Sequence, residues 1–138
     1  MKRTAKAHWQ GTLKEGKGTL SAESGILNET NYSFKTRFVE GEKGTNPEEL
    51  LAAAHAGCFT MSVGAMLTEK GLNPTSLDTV ATLTMEGLTI TAIHLSITGS
   101  VAGISAEEFV AVTQAAEKNC VISRALNVAI SSEANLVK

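Results

Sequence analysis

From Leu50 to Thr68 the chain carries no Asp, Glu, Lys or Arg, an uncharged run of 19 residues that constrains the fold more than any other feature. It follows Asn46-Pro47-Glu48-Glu49, where an N-cap, a proline at the first helical position and two acids in the first turn announce a helix. Lys70-Gly71 then supplies a cationic last turn and a glycine stop, so the spacing predicts a helix from Pro47 to about Lys70. Such a run is long enough to cross a membrane. It is nevertheless rich in Ala and Gly, holds His55, Thr60, Ser62 and Thr68, and is flanked by alternating strand patterns, so a helix buried on nearly all sides is the better reading. About 24 helical residues span about 36 Å. Aromatic residues are only 4% of the chain, and one small sheet covers a helix of that length poorly. A homodimer is therefore expected, built on a single domain over residues 1–138.

The rest of the pattern is mostly strand. Residues 4–14 and 17–23 read as a hairpin turned through Glu15-Gly16-Lys17-Gly18. Tyr32, Phe34, Thr36 and Phe38 alternate with polar neighbours as a third strand, which would point Phe34 and Phe38 to the core and leave Lys35 and Arg37 opposite. Beyond Pro74, Leu77 to Glu86 and Leu88 to Ser100 form a second hairpin turned at Gly87, with Ile93, Leu95 and Ile97 on one face. Ser105-Ala106-Glu107-Glu108 is a capping box opening a second helix, with Phe109, Val112 and Ala116 on one side and an end near Lys118-Asn119. A short turn or helix to Arg124 and a last strand around Leu126 to Ser131 complete an α+β order, βββ-α-ββ-α-β, with a long buried central helix.

Charge and termini exclude several classes. The net charge is −2 and no Lys/Arg run exceeds two residues, so nucleic acid and anionic membrane surfaces are not expected partners. The opening Met1-Lys2-Arg3-Thr4 lacks the apolar stretch of a signal peptide, which predicts a cytoplasmic protein. Two cysteines in a reducing compartment are then expected to form a transient disulfide at most. No P-loop, dinucleotide glycine motif or calcium loop is present in the sequence, and no metal or bound cofactor is expected.

The candidate chemistry rests on Cys58 and Cys120. On a 3.6-residue period Cys58 shares a helical face with Leu51, Ala54, Met61 and Ala65, which by itself reads as core. An unperturbed thiol is only about 3% thiolate at pH 7, so reactivity requires a cation or donors nearby. Lys35 and Arg37 are both available, and pattern alone does not choose between them. Asn119 reads as an N-cap that would place Cys120 in the first turn of a short helix, where the dipole favours thiolate. A sulfenic acid on either cysteine condenses with a neighbouring thiol, so the pair is able to run a peroxide cycle without a cofactor. Three other readings stay open at this level. The two thiols are inert core, or His55 and Cys58 at i and i+3 begin a zinc site completed by His8, His94, Cys120 or a carboxylate, or His55 or His94 serves as the base of a Cys-His hydrolase.

The segment Thr36-Arg37-Phe38, with Gly41-Glu42-Lys43-Gly44-Thr45-Asn46-Pro47-Glu48-Glu49-Leu50-Leu51-Ala52-Ala53-Ala54-His55-Ala56-Gly57-Cys58-Phe59, resembles the OsmC subgroup of the OsmC/Ohr family. The likeness runs from Ala7-His8-Trp9 through Pro74-Thr75-Ser76 to the second cysteine. It implies an intertwined α+β homodimer with two interfacial sites, and peroxidase activity that prefers organic hydroperoxides over hydrogen peroxide. Carried over residue by residue, Cys58 corresponds to the peroxidatic thiol, Cys120 to the resolving thiol, and Arg37 and Glu48 to the pair holding thiolate and substrate. The resemblance suggests an external dithiol of the lipoyl type, such as a lipoylated protein, to regenerate the thiols. Glu48 precedes Cys58 by ten residues, about 15 Å along one helix and about 280° around it, so either Arg37 bridges the gap or, the favoured reading, the partner subunit supplies Glu48. Glu49 reads as a capping carboxylate. One departure is Val121, where the family commonly has proline after the second cysteine. A pocket lined by Phe, Met and Leu is expected beside Cys58, and the non-enzymatic alternative is a stress-induced dimer that binds an apolar small molecule.

Overall fold

The computed structural model describes residues 1–137 and divides into two compact units, Met1–Leu50 and Leu51 onward. In the first unit, β1 (Ala5–Gln10), β2 (Lys17–Ala22) and β3 (Thr30–Tyr32) form an antiparallel sheet in that order. The first hairpin is as expected, with Gln10 opposite Lys17. Trp9 and Tyr32 both stand opposite Gly18 on the central strand. A Cβ there would run into both rings, so glycine is what allows them to approach to 5.6 Å between centroids.

The predicted third strand is corrected. Pairing stops at Tyr32, and Phe34–Phe38 is a short helix, α1. Ser33 caps it: the Thr36 N–H donates to Ser33 Oγ at 3.2 Å and the Ser33 N–H donates back to Thr36 Oγ1 at 2.8 Å. This local exchange takes the backbone groups that a strand ladder would need. The spacing was also ambiguous, because positions i and i+4 share a face on a strand and on a helix alike. Phe34 and Phe38 accordingly meet, at 4.8 Å between centroids, but Phe38 is exposed and Thr36 is the buried residue of the turn.

Helix α2 (Pro47–Glu69) starts as predicted, with the Glu49 N–H donating to Asn46 Oδ1 at 2.8 Å. It ends in a glycine-terminated turn: the Leu72 N–H reaches Leu67 O, the Gly71 N–H reaches Thr68 O, and Gly71 takes φ 76°. Lys70 lies one residue beyond the last turn, which contains no basic residue, so the expected cationic turn is absent. The expectation of a helix buried nearly all round is also corrected. In the single chain α2 buries one stripe, His55, Phe59, Val63 and Leu67, and leaves Met61 77% exposed. Each stripe residue lies four positions from the next, so one side faces the sheet and the small residues on the other sides stay open. It is long and apolar enough to cross a membrane, but Phe59, Val63 and Leu67 pack into the core.

In the second unit β4 (Pro74–Glu86) and β5 (Thr89–Val101) make the expected hairpin about Gly87, and β6 (Ala129–Val137) adds parallel to β5. Ile93, Leu95, Ile97 and Val101 supply the inner face. Helix α3 (Ala106–Asn119) carries the predicted Ser105–Glu108 capping box and closes the core with Phe109, Val112 and Ala116. Phe109 lies over Gly99, where a Cβ would sit 2.5 Å from its ring. The last strand begins three residues later than expected and continues to Val137, because α4 (Val121–Ala125) and the following loop occupy the chain first. Its inward positions are Ile130, Ser132, Ala134 and Leu136, and Ser132, which donates to Glu117 of α3, interrupts the apolar alternation. The architecture is α+β, the predicted order with α1 and α4 added.

Candidate active site

The structure brings together Cys58 with Cys120, and separately Arg37 with Glu48. The thiol pair belongs to the second unit. Cys58 is half-buried on α2, and the neighbours expected to bury it are open: Ala54, Met61 and Ala65 are exposed. It lines an open groove of about 630 Å³ with Ala53, Ala54, Gly57, Met61, Ser62, Val121 and Ile122. The expected Phe and Leu walls are not there; the lining is mainly small and aliphatic, because the ring of Phe59 turns into the core.

Cys120 is buried where α3 gives way to α4. Its N–H donates to Ala116 O at 2.9 Å, and its carbonyl accepts from the Arg124 N–H at 3.0 Å. Asn119 is therefore the last residue of α3 rather than a cap, and Cys120 itself occupies the α4 N-cap position without a side-chain capping bond. The expected activation of Cys120 by α4 is not met, because burial outweighs the donors that lower its pKa. The N–H groups of Val121 and Ile122 at the start of α4 also act as donors that lower the Cys58 pKa.

The two thiols are thereby made unequal. Burial pushes the Cys58 thiol up, but the S–H of Cys120 and the N–H groups of Ile122 and Val121 all donate to its sulfur, leaving its pKa below the usual thiol value. Burial dominates at Cys120, and its role as donor to Cys58 adds to it, so its pKa is raised despite bonds from Ser123 and Ile122. The shifts run in opposite directions, so Cys58 is the more readily ionised of the two thiols.

Arg37 and Glu48 meet in the first unit. Arg37 Nε donates to Glu48 Oε1 at 2.8 Å, and Nη2 donates to the same oxygen. Asn46 sets this up from two sides, capping α2 with Oδ1 and donating from Nδ2 to Thr36 O at 3.1 Å, which fastens α1 beside the start of α2. Glu48 is mostly covered, at 14% side-chain exposure against 35% for Arg37, and its Oε2 has no partner. The Glu49 carboxylate instead accepts from Thr45 Oγ1 at 2.7 Å. Arg37 borders a pocket of about 290 Å³ walled by Trp9, Leu13, Tyr32, Phe34 and Pro47. Those aromatic walls escaped sequence reasoning, although two rings in register against Gly18 were a usable signal.

His55 does not turn toward Cys58 as a metal ligand would. It is fully buried with Nε2 2.7 Å from Ser123 Oγ, and burial lowers its pKa. Among the described residues no group of three or more His, Cys, Asp or Glu side chains is arranged to hold a metal ion. His94 lies on the outer sheet face beside Ser131, with Nδ1 2.7 Å from its Oγ.

The OsmC-like protein family profile matches residues 40–134. The chain is 48% identical to Peroxiredoxin OsmC of Escherichia coli (strain K12) over 134 residues, 94% of this chain and 93% of that protein. An OsmC-like protein of unknown function from Vibrio cholerae superposes with a TM-score of 0.74 at 16% identity, over 97% of this chain and 99% of the other. The organic hydroperoxide resistance protein OhrB of Bacillus subtilis does so with a TM-score of 0.64 at 21% identity, over 97% and 98%. The two structures speak to the fold and the sequence identity to kinship: the chain belongs to the OsmC-like protein family.

Proposed function

We propose that the protein is a thiol-dependent peroxidase that reduces organic hydroperoxides to alcohols, with Cys58 attacking and Cys120 resolving. The observation that carries this reading is that Cys58 and Cys120 line one groove with their pKa values displaced in opposite directions, Cys58 down and Cys120 up. The Cys58 thiolate attacks the distal peroxide oxygen, the O–O bond breaks, and the departing alkoxide takes a proton to leave as alcohol. Cys58 becomes a sulfenic acid. Cys120 then displaces its hydroxyl as water, forming a Cys58–Cys120 disulfide that an external dithiol reduces back to two thiols. The apolar groove beside Cys58 favours alkyl over hydrogen peroxide.

Arg37 stabilises charge on the peroxide and Glu48 orients it. Two of its N–H groups are committed to Glu48 Oε1, which leaves Nη1 for substrate. Glu48 precedes Cys58 by ten positions on α2, so the reading assigns the Arg37–Glu48 pair at each thiol to a second copy of the chain. The open small-residue sides of α2 support that homodimer, since a face this apolar is costly to leave in water. The protein would work in the cytoplasm, where dithiol reductants, lipoylated proteins among them, are at hand.

The test is to treat reduced protein with one equivalent of cumene hydroperoxide and weigh it intact. A loss of about two hydrogens, matched by alcohol formed and abolished in Cys58→Ser, is the expected result. Unchanged mass and thiol count would refute the peroxidase and leave a dimer that binds apolar molecules. Sedimentation of the same sample tests the dimer.

A further inference from the structure

His55 is the one fully buried ionisable nitrogen base among the described residues, and the peroxide chemistry above gives it no role. Its Nε2 lies 2.7 Å from Ser123 Oγ, across 68 positions of sequence. Its Nδ1 is buried without a partner. Ser123, also buried, lies one helical turn after Cys120, and its hydroxyl acts as a donor that lowers the Cys120 pKa. A serine hydroxyl has one proton, and a proton turned to sulfur is not available to His55. The contact with His55 must then run the other way, with Nε2–H donating to Oγ. The orphaned Nδ1 selects the same tautomer: with the proton on Nε2 it is a bare lone pair, which is less costly to bury unpaired than an N–H.

We propose that His55 is a positioning residue for the resolving thiol, locking the Ser123 hydroxyl so that its proton points at Cys120 Sγ. The inference rests on the assignment of Cys120 as resolving thiol and deepens it. When Cys120 attacks the Cys58 sulfenic acid, an S–S bond forms, the S–O bond breaks, and hydroxide leaves with the proton that Cys120 gives up, as water. No outside oxidant or reductant enters that step. Negative charge gathers on Cys120 Sγ as its proton departs, and the fixed hydroxyl stabilises it. The same bond helps Cys120 leave when the disulfide is reduced. The titratable groups hydrogen-bonded into this chain are the thiols of Cys58 and Cys120. No charged side chain among the described residues contributes to the shift on either thiol or on His55.

The test compares wild type, Ser123→Ala, His55→Leu and His55→Gln in rapid mixing with cumene hydroperoxide, trapping sulfenic acid with dimedone at successive times. In Ser123→Ala and His55→Leu, disulfide formation is expected to slow about tenfold relative to peroxide consumption, with its pH midpoint moved up. His55→Gln, whose amide can still donate to Oγ, should recover most of the rate. A disulfide step in Ser123→Ala as fast as wild type, relative to peroxide consumption, overturns the proposal, as does a His55→Gln no better than His55→Leu. A second measurement needs no peroxide. In a Cys58→Ser background, the rate at which methyl methanethiosulfonate labels Cys120 across pH should shift to higher pH on Ser123→Ala, and an unmoved profile refutes the proposal. If that profile shifts while wild type consumes no hydroperoxide, the peroxidase reading fails and the positioning stands.

Discussion

Replacing Cys120 by alanine should impair Cys58 before any disulfide chemistry begins. In the reduced protein the Cys120 S–H is the strongest of the three donors that hold the Cys58 pKa below the usual thiol value. A hydrogen bond to a charged acceptor contributes about 1.5–3 kcal/mol, and the lower end applies to a sulfur that is only half-buried. About 1.4 kcal/mol is tenfold in an equilibrium, so Cys120→Ala should leave about ten times less Cys58 thiolate at neutral pH. The N–H groups of Val121 and Ile122 remain, so reactivity falls without vanishing. The assay is alkylation of reduced protein by iodoacetamide, read as modified Cys58 by mass, from acid to alkaline pH. The rate should rise with pH through the Cys58 pKa, and in Cys120→Ala that rise should move to higher pH. Cys120→Ser keeps an O–H donor in place and should stay close to wild type. Cys120→Ala with the wild-type midpoint and rate would refute the hydrogen-bond account, and so would Cys120→Ser behaving like Cys120→Ala.

Glu48→Gln removes the charge that draws two Arg37 N–H groups to one oxygen, and on the proposed chemistry the misplaced guanidinium should lower kcat/KM for cumene hydroperoxide by about 10²-fold, with little change in melting temperature. Val121→Pro suits the first position of α4 but deletes an N–H that donates to Cys58, so iodoacetamide should react about three- to tenfold more slowly with Cys58 while thermal stability holds or rises. His55 is held neutral by burial. Below its unfolded pKa of about 6.5 the unfolded chain binds a proton that the native state refuses, so stability falls as pH drops from there, by at most about 1.4 kcal/mol per unit. Urea unfolding between pH 7 and pH 5 should show that slope, and His55→Gln should flatten it.

The long helix was legible because its start and stop are local: Asn46 bonds Glu49, Gly71 takes the left-handed turn, and the uncharged run lies between. The β4–β5 hairpin and the face of α3 were equally plain, since Ile93-Leu95-Ile97 and Phe109-Val112-Ala116 each carry one period throughout. Phe34 to Phe38 failed because its spacing fits both periods, and the deciding feature was the Ser33–Thr36 exchange. At the site, the opposite pKa shifts of the two thiols depend on how deeply each is buried and on the donors around it, a matter of where α3 ends that composition does not fix. The His55–Ser123 contact was illegible for a different reason. It joins residues 68 positions apart, and neither lies in a motif that demands the other.

The departure at Val121 takes on a different meaning once the donors are placed. A proline in that position would preset the α4 turn but could not donate, leaving Ile122 and Cys120 to hold the Cys58 thiolate. With valine the backbone supplies a third donor, so more of the thiolate is secured by the main chain and less by the side chain that is consumed when the disulfide forms. On the proposed cycle the backbone donors would persist, whereas the Cys120 S–H would be absent from the oxidised state. When an external dithiol attacks the disulfide at Cys120, the departing Cys58 thiolate is received by two N–H groups already in place. Valine should therefore favour reduction by a route that expels Cys58, and Val121→Pro should slow reductive turnover as well as attack. Dithiothreitol reduction of the isolated disulfide, at equal rates in the two forms, would refute that link.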